Sequence, residues 1–369
     1  SDPMGASFDI GNNKTLFNIS IDGMIRSLTF FKYSEFNDNI PGVWVHKESA
    51  VYKNLAFSIE IDGELYYLPD YTGSILTGFI GCVFPYTQYD LPKVRATTLS
   101  FSPISQDGKR RPRAAYYTIY LENYSDKSII GKVILPAVPH FSEVKPDETP
   151  PYIRLADGRR VDEVEFTLKS SQSIWIPVLI TAYGDDVEDE LKAGPLYWLN
   201  ETWGYYKNLT GELNITDDDF LSEFFVKTVH QCQQCIGMDP TGFIAGSSWG
   251  TNPTTKQIWM KDMYYSLLPL SYFDPDLFAL AIEWFTKYGV RPKGSLFKGG
   301  VTHSLSNSLS SVIMAGIYFT STGDIEFFKK RPELVKKLCN ILDEMISSRK
   351  DKNVWLFSSM WISDGLSLG

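Results

Sequence analysis

Two hydrophobic periodicities divide this sequence. From about Phe8 to Tyr183, apolar and polar residues alternate in twos between turn signals, the pattern of antiparallel strands with one buried face. Asp22-Gly23 and Asp62-Gly63 each follow such a strand, and Asp-Gly supplies the positive φ angles of a tight hairpin turn. Further strands are predicted at 115–120, 129–135, 164–168 and 173–183. Many short strands without helical stretches predict an antiparallel β-sandwich.

After Asn214 the hydrophobic period changes to about 3.6 residues, which predicts helices. The first begins at a cap near Thr216 and ends near Ile236, with a shared face made of Phe220, Phe224, Thr228 and Cys232. A second begins near residue 262 and is interrupted at Pro269. The remaining helices are predicted at 274–289, at 305–323, and from a short turn at 324 through a restart at 332 to about 349. Apolar residues on both sides of the 274–289 helix indicate that it is buried between neighbours.

The boundary between the two patterns lies in an acidic and then aromatic stretch. Gly194-Pro195 breaks the chain there, and five aromatic side chains follow within residues 197–206. The sequence therefore predicts an expression scar at 1–7, a β-sandwich domain at 8–183, a linker at 184–215 and a helical domain at 216–369. A proline-rich stretch at 144–151 is predicted to be a loop within the sandwich domain.

Composition narrows the classes of partner. With 369 residues the chain exceeds what one core usually organises, and its formal charge of −9 leaves no basic surface for nucleic acid. No apolar run approaches the roughly 20 residues that cross a bilayer, so no membrane partner is expected. Four cysteines are too few for a disulfide scaffold, which favours a cytoplasmic location, although secretion stays open. No nucleotide-binding loop is present, and we expect no cofactor.

One pair of motifs carries a family resemblance. The segment Thr241 to Gly246, leading to Trp259-Met260-Lys261-Asp262, resembles the loop between the first two barrel helices of the glucoamylase-like hydrolases and disaccharide phosphorylases. Those relatives usually show Trp-x-Arg-Asp, and Lys261 here replaces the arginine, so that a point charge stands in place of a planar fork of donors.

The resemblance implies a multi-domain protein with an N-terminal antiparallel β-sandwich and a C-terminal partial (α/α)6 barrel. The helices predicted here are too few to close such a barrel. A further C-terminal segment or a second chain is therefore expected to complete it.

The resemblance also implies a catalytic residue. In this family the loop before the sixth barrel helix carries the general acid, and Asp364 is the only carboxylate in the corresponding segment, 355–369. Trp361 would provide the apolar setting that keeps such a carboxyl protonated. An inverting hydrolase also needs a general base, which the resemblance places beyond position 369, whereas a phosphorylase uses phosphate as its nucleophile. The simpler interpretation of Asp364-Gly365 is a solvated turn.

The same loops supply candidate sugar-binding residues. Asp262 would accept hydrogen bonds from sugar hydroxyls beside Lys261, with Trp259 or Trp249 stacking on a ring face; alternatively Asp262 caps a helix and the tryptophans are packing residues. His303 would orient a hydroxyl or help to hold phosphate, or simply cap its helix.

His230, Cys232 and Cys235 suggest a metal site, but this Cys-x-x-Cys has no second ligand pair, and we interpret it as buried helix residues. The sequence thus predicts a glycoside hydrolase-like protein that cleaves a neutral oligosaccharide with inversion. An inverting phosphorylase and a non-catalytic carbohydrate-binding or scaffold protein are the alternatives.

Overall fold

The computed structural model describes residues 7–30, 33–36, 44–47, 50–136, 152–181, 187, 191–211, 217–239, 242–244, 264–265, 267–288, 290, 300–303, 305–348, 361–363 and 366–367. They form two compact units. The β unit holds the described residues up to 237 apart from 33–47, and the helical unit holds 33–47 and the described residues from 238 onward. The proline-rich segment predicted at 144–151 and residues 1–6 of the predicted expression scar at 1–7 lie outside the described residues, whereas Ser7 is the first residue of a strand.

In the part of the β unit that the structure describes, three antiparallel sheets are present. The first has the order β1-β2-β3-β6, from β1 (Ser7–Gly11), β2 (Thr15–Ser20), β3 (Ile25–Phe30) and β6 (Ala50–Leu55). The second has the order β15-β13-β7-β8, from β7 (Ser58–Ile61), β8 (Glu64–Tyr67), β13 (Ile129–Ile134) and β15 (Glu163–Leu168). The third has the order β14-β16-β12-β11-β10-β9, from β9 (Ile75–Ile80), β10 (Phe84–Leu91), β11 (Val94–Phe101), β12 (Ala114–Asn123), β14 (Tyr152–Leu155) and β16 (Ser173–Thr181).

One apolar core joins the three sheets. Phe17 of the first, Ile59 of the second and Ile119 of the third are fully buried members of the same cluster. Alternation places these side chains on inward faces, since successive residues of a strand point to opposite sides. The predicted antiparallel β half is confirmed.

The two predicted Asp-Gly hairpins differ in detail. Asp62 (φ 50°) and Gly63 (φ 87°) form the expected two-residue turn between β7 and β8. At Asp22-Gly23 only the glycine has a positive φ, of 80°, and Ser20 N donates to Met24 O at 2.9 Å across a longer loop. The hairpin between β2 and β3 is therefore confirmed, but the prediction of a tight two-residue turn there is wrong.

Two helices of the described residues belong to the β unit. Half of the predicted linker at 184–215 is helix α1 (Pro195–Thr210), which begins after Gly194 (φ 84°) with proline at its first position. Its buried Trp198 and Tyr205 share a second apolar cluster with Phe101 and Tyr116 of the six-stranded sheet. The aromatic stretch therefore covers one end of the outward face of that sheet.

Helix α2 (Asp219–Gln234) is the first predicted helix, and its N-cap is Asp218, whose Oδ1 accepts from Leu221 N at 2.9 Å. Phe220 and Phe224 stack as neighbours, 6.1 Å apart, but they are 74% and 59% exposed. The buried residues of α2 include His230 and Gln233 instead. This polar face packs within the β unit, so the structure groups α2 with the sheets, whereas the sequence division grouped it with the later helices.

The helical unit contains short strands and five helices in its described residues. The strands are β4 (Tyr33–Phe36), β5 (Trp44–Lys47), β17 (Gly237–Asp239), β18 (Gly242–Ile244), β19 (Trp361–Ser363) and β20 (Leu366–Ser367). The helices are α3 (Leu270–Phe273), α4 (Pro275–Tyr288), α5 (Leu305–Thr322), α6 (Ile325–Lys329) and α7 (Pro332–Ser347). Among the described residues, none of the helices is both long and apolar enough to span a membrane.

The predicted helix ends of this unit are confirmed by their caps. Asp274 Oδ1 accepts from Leu277 N at 3.0 Å, Gly323 has a φ of 67°, and Asp324 Oδ1 accepts from Phe327 N at 3.0 Å. Phe278 and Phe285 on one side of α4 are fully buried, and Leu277 and Trp284 are only 2% and 4% exposed. The prediction that α4 is buried between neighbours is confirmed.

Candidate functional site

Most of the predicted sugar site lies outside the described residues. This is the case for Trp249, Trp259, Lys261, Asp262 and Asp364. For the other two predicted residues the structure describes the backbone alone: Trp361 begins β19, and His303 ends a single 3-10 turn, Val301–His303. The geometry of the site therefore has to be argued from the elements that carry these residues.

Helices α4 and α7 run in the same direction. Arg331 Nε, directly before α7, donates to Glu283 Oε1 in α4 at 2.6 Å, and Lys337 Nζ donates to the carbonyl of Lys287 at 2.8 Å. Because the residue numbers rise together along both helices, their C-terminal ends lie at the same end of the helical unit.

Helix α5 runs the other way. Ser321 Oγ, in its last turn, donates to the carbonyl of Ser271 in α3 at 3.2 Å, directly before α4 begins. At the opposite end, Val301 N donates to Glu344 Oε1 near the C-terminus of α7 at 3.2 Å. The N-terminus of α5 therefore lies beside the C-terminal end of α7.

Long and short connections consequently leave from different ends of the unit. The connection from α4 to α5, which includes His303, and the residues after α7, which include Trp361, both start at the end formed by the C-termini of α4 and α7. We call this the long-connection end. At the other end, α3 and α4 are separated by Asp274 alone, and α5, α6 and α7 by two residues each. In addition, β19 packs against α5, and β18, which precedes the Trp249 to Asp262 segment, packs against α4.

An open cleft of about 390 Å³ occupies the short-connection end. Two pairs of its polar groups are bonded to each other: Arg331 contacts Glu283, and Tyr318 OH donates to Asp324 Oδ2 at 3.0 Å. The Phe327 N–H holds the pKa of Asp324 below its usual value, and burial raises the pKa of Tyr318. The residues that line the cleft include none of the predicted sugar-binding residues, and the two bonded pairs connect α4 to the α6–α7 junction and α5 to the N-cap of α6.

The β unit contains a buried polar network that the sequence interpretation did not identify. Asn13 is fully buried in the turn between β1 and β2, and its Nδ2 donates to the carbonyls of Gln233 and Ile236, each at 2.9 Å. Its Oδ1 accepts from Gln233 Nε2 at 2.9 Å and also from Arg111. This network holds the C-terminal end of α2 against the turn between β1 and β2. The signal for it was the run Gly11-Asn12-Asn13-Lys14 between two apolar stretches, since asparagine tolerates the positive φ of 72° found at Asn13.

His230 belongs to the same interface. Its Nδ1 lies 3.1 Å from the carbonyl of Cys82 and its Nε2 lies 3.1 Å from the carbonyl of Tyr206. Burial lowers the pKa of this imidazole, and the two backbone contacts only partly oppose the shift. Cys82, Cys232, Cys235 and Cys339 all have free thiols, and Cys232 and Cys235 are half-buried. His230 thus attaches α2 to the turn between β9 and β10 and to helix α1.

Asp9, on β1 beneath α2, has an altered acidity. Burial raises the pKa of its carboxyl to about 7, although Asn18 Nδ2 donates to Asp9 Oδ1 at 2.9 Å. The amide of Gln231 on α2 donates to the backbone carbonyl of Asp9. A raised carboxyl pKa in a helix–sheet interface also occurs for purely structural reasons. We therefore expect Asp9 to affect the pH dependence of stability, and we assign it no catalytic role.

Comparison with known proteins does not identify a family. The sequence matches no protein-family model and no curated protein.

Proposed function

We propose that this chain is part of a glycoside hydrolase-like protein that binds a neutral oligosaccharide at the long-connection end of its helical unit. The observation that carries the proposal is the arrangement of α4, α5 and α7. Because these helices alternate in direction, the segments that carry His303 and Asp364 start from the same end of the unit. Convergent loops at one end of paired helices are what an (α/α)6 barrel uses to form a pocket, and the present helices would be a portion of such a barrel.

In this proposal the residues have separate tasks. Asp262 and Lys261 bind sugar hydroxyls through a carboxylate and an ammonium group, and Trp259, Trp249 and Trp361 cover the apolar faces of the sugar rings. His303, which ends the turn before α5, orients a further hydroxyl.

Asp364 acts as the general acid in the proposed reaction. It protonates the departing glycosidic oxygen, and a second carboxylate, which the sequence does not assign, activates the attacking water from the opposite face of the ring. Apolar neighbours of Asp364 would keep its carboxyl protonated near neutral pH.

Asp262 gives the first test, which needs no turnover. Replacing Asp262 by Ala should weaken binding of maltohexaose, measured by titration calorimetry, by roughly tenfold, because a hydrogen bond to a charged group is lost. The matched control is Asp276→Ala, which removes an acidic residue from the first turn of α4 at the short-connection end. Unchanged affinity in the Asp262 variant would remove this residue from the site.

Asp364 gives the second test, on the natural full-length protein. Asp364→Asn should lower the turnover of a neutral oligosaccharide by at least about 10²-fold, the lower range for general acid catalysis. Product analysis with and without inorganic phosphate separates hydrolysis from phosphorolysis. Near-normal turnover in the Asn variant would exclude Asp364 as the acid, and binding without any turnover would identify a binding or scaffold protein.

A further inference from the structure

The outward face of the six-stranded sheet has a covered end and an open end. At the covered end, Phe101 and its cross-strand partner Tyr116 are buried in the cluster that contains Trp198 of α1. At the open end, one cross-strand row passes through all strands from β9 to β16. Its members are Leu76, Gln88, Thr97, Tyr120 and Trp175. With strands about 4.8 Å apart, the row is about 19 Å long. We call this row and its neighbouring charged row the platform.

The platform exposes three large apolar side chains. Leu76 is 54% exposed, Tyr120 is 41% exposed and Trp175 is 36% exposed, and the last two are direct cross-strand partners. The alternate residues of the same strands, such as Ile119 and Ile176, point into the core. The exposed aromatic rings are therefore not part of the packing between sheets, and contiguous exposed apolar area on a soluble protein often marks a binding surface.

The neighbouring row supplies planar polar groups that are already held in place. Arg95 lies between two carboxylates, with its Nε 3.1 Å from Asp90 Oδ1 and its terminal nitrogen 3.6 Å from Glu122 Oε2. Gln88 Nε2, from the aromatic row, donates to Asp90 Oδ1 at 3.4 Å. The guanidinium offsets one of the two carboxylate charges, so the row keeps a formal charge of −1 and disfavours an anion, while its bonded donors and acceptors suit the hydroxyls of an uncharged ligand.

We propose that the platform binds a neutral oligosaccharide chain laid along the row from Leu76 to Trp175. Sugar rings present apolar C–H faces, which Tyr120 and Trp175 cover, and rims of hydroxyls, which the Gln88 amide and the Asp90–Arg95–Glu122 row hydrogen-bond. This site belongs to the β unit and needs neither Asp262 nor Asp364. It adds a second carbohydrate contact to the one proposed above and does not depend on it.

The test is titration calorimetry of the whole chain with maltohexaose and with cellohexaose. Trp175→Ala and Tyr120→Ala should each weaken the binding of at least one of the two sugars, maltohexaose or cellohexaose, by roughly tenfold, because an aromatic contact is lost. The control Phe220→Ala removes another exposed aromatic ring of the β unit and should leave this affinity unchanged. The titrations are repeated in the Asp262→Ala background, which weakens the other proposed contact. Trp175→Ala should still weaken the remaining binding by roughly tenfold there, which separates the platform from the site at the long-connection end.

Three outcomes would overturn the proposal. They are absence of binding to either hexaose, affinity that both aromatic variants retain, and self-association of the parent chain that Trp175→Ala abolishes, since the face would then be a protein interface. Circular dichroism checks that each variant folds. If Trp175→Ala does not fold, Gln88→Leu carries the test, because it removes the amide while leaving the aromatic rings and should also weaken binding.

Discussion

Asp9 and Asn13 show how single polar residues decide the attachment of α2 to the sheets. Both lie at the β1–β2 end of the first sheet, and both are contacted from α2, Asp9 by Gln231 and Asn13 by Gln233. The carboxyl of Asp9 is poorly solvated, whereas the amide of Asn13 donates hydrogen bonds to backbone carbonyls at the end of the helix. Their effects on stability should therefore differ in pH dependence.

Asp9 should make the β unit less stable as pH rises. Its folded-state pKa of about 7 lies above the ordinary value of 3.8, so the folded state binds the proton more tightly than the unfolded state. The stabilisation from the protonated form is complete below about pH 4 and is lost as pH rises through 7. The urea concentration at the unfolding midpoint should decrease from pH 5 to pH 8, and this decrease should be larger for the parent than for Asp9→Asn. Equal falls would show that Asp9 titrates normally.

Asn13 should contribute to stability at any pH near neutrality. Asn13→Gly keeps the positive φ but removes the side-chain bonds, which should lower the free energy of unfolding by roughly 1–3 kcal/mol. Asn13→Ala should lower it further, because alanine also strains the left-handed backbone. Asn54 is the control, since it has a φ of 57° but an exposed side chain. If Asn13→Gly unfolds at the same urea concentration as the parent, the buried network is not stabilising.

At the scale of elements, α1 depends on a few aromatic side chains. Trp198 is fully buried in the cluster beneath α1, whereas Trp203 is 38% exposed and stacks on Phe84 with ring centroids 6.2 Å apart. Trp198→Ala should lower the free energy of unfolding by roughly 3–5 kcal/mol, as large-to-small core substitutions do, and Trp203→Ala by clearly less. Denaturant unfolding followed by circular dichroism measures both. Equal losses would mean that α1 is not anchored through Trp198.

Most elements could be predicted from the sequence because their signals are local. Asp274-Pro275 and Gly323-Asp324 indicate where helices begin and end. The alternation of apolar and polar residues between turn residues predicts the strands of the sheets. Long-range pairing was not predictable in the same way. Phe220 and Phe224 suggested a packed face of α2, but tertiary contacts bury His230 and Gln233 instead. For the same reason the aromatic stretch around Trp198 was interpreted as a linker, although it packs as a helix on a sheet face.

At the scale of the molecule, the antiparallel β unit followed by a helical unit agrees with the predicted multi-domain class. The candidate site was predicted by resemblance alone, since Asp262 and Asp364 are distant in sequence and no periodicity relates them. What the described residues add is the direction of α4, α5 and α7, from which it follows that the segments carrying His303 and Asp364 start at the same end of the unit. The platform on the β unit could not be predicted, because it depends on which strands are neighbours.

Hydrogen–deuterium exchange of the chain with and without a neutral hexaose tests the central claim most directly. The account predicts that the sugar slows exchange together in peptides covering 245–263, 291–304 and 355–369, while the short-connection peptide 322–332 is unchanged. Asp262→Ala should abolish these three changes. A bound hexaose that protects none of these peptides, or one that protects the short-connection end instead, would contradict a sugar site at the long-connection end.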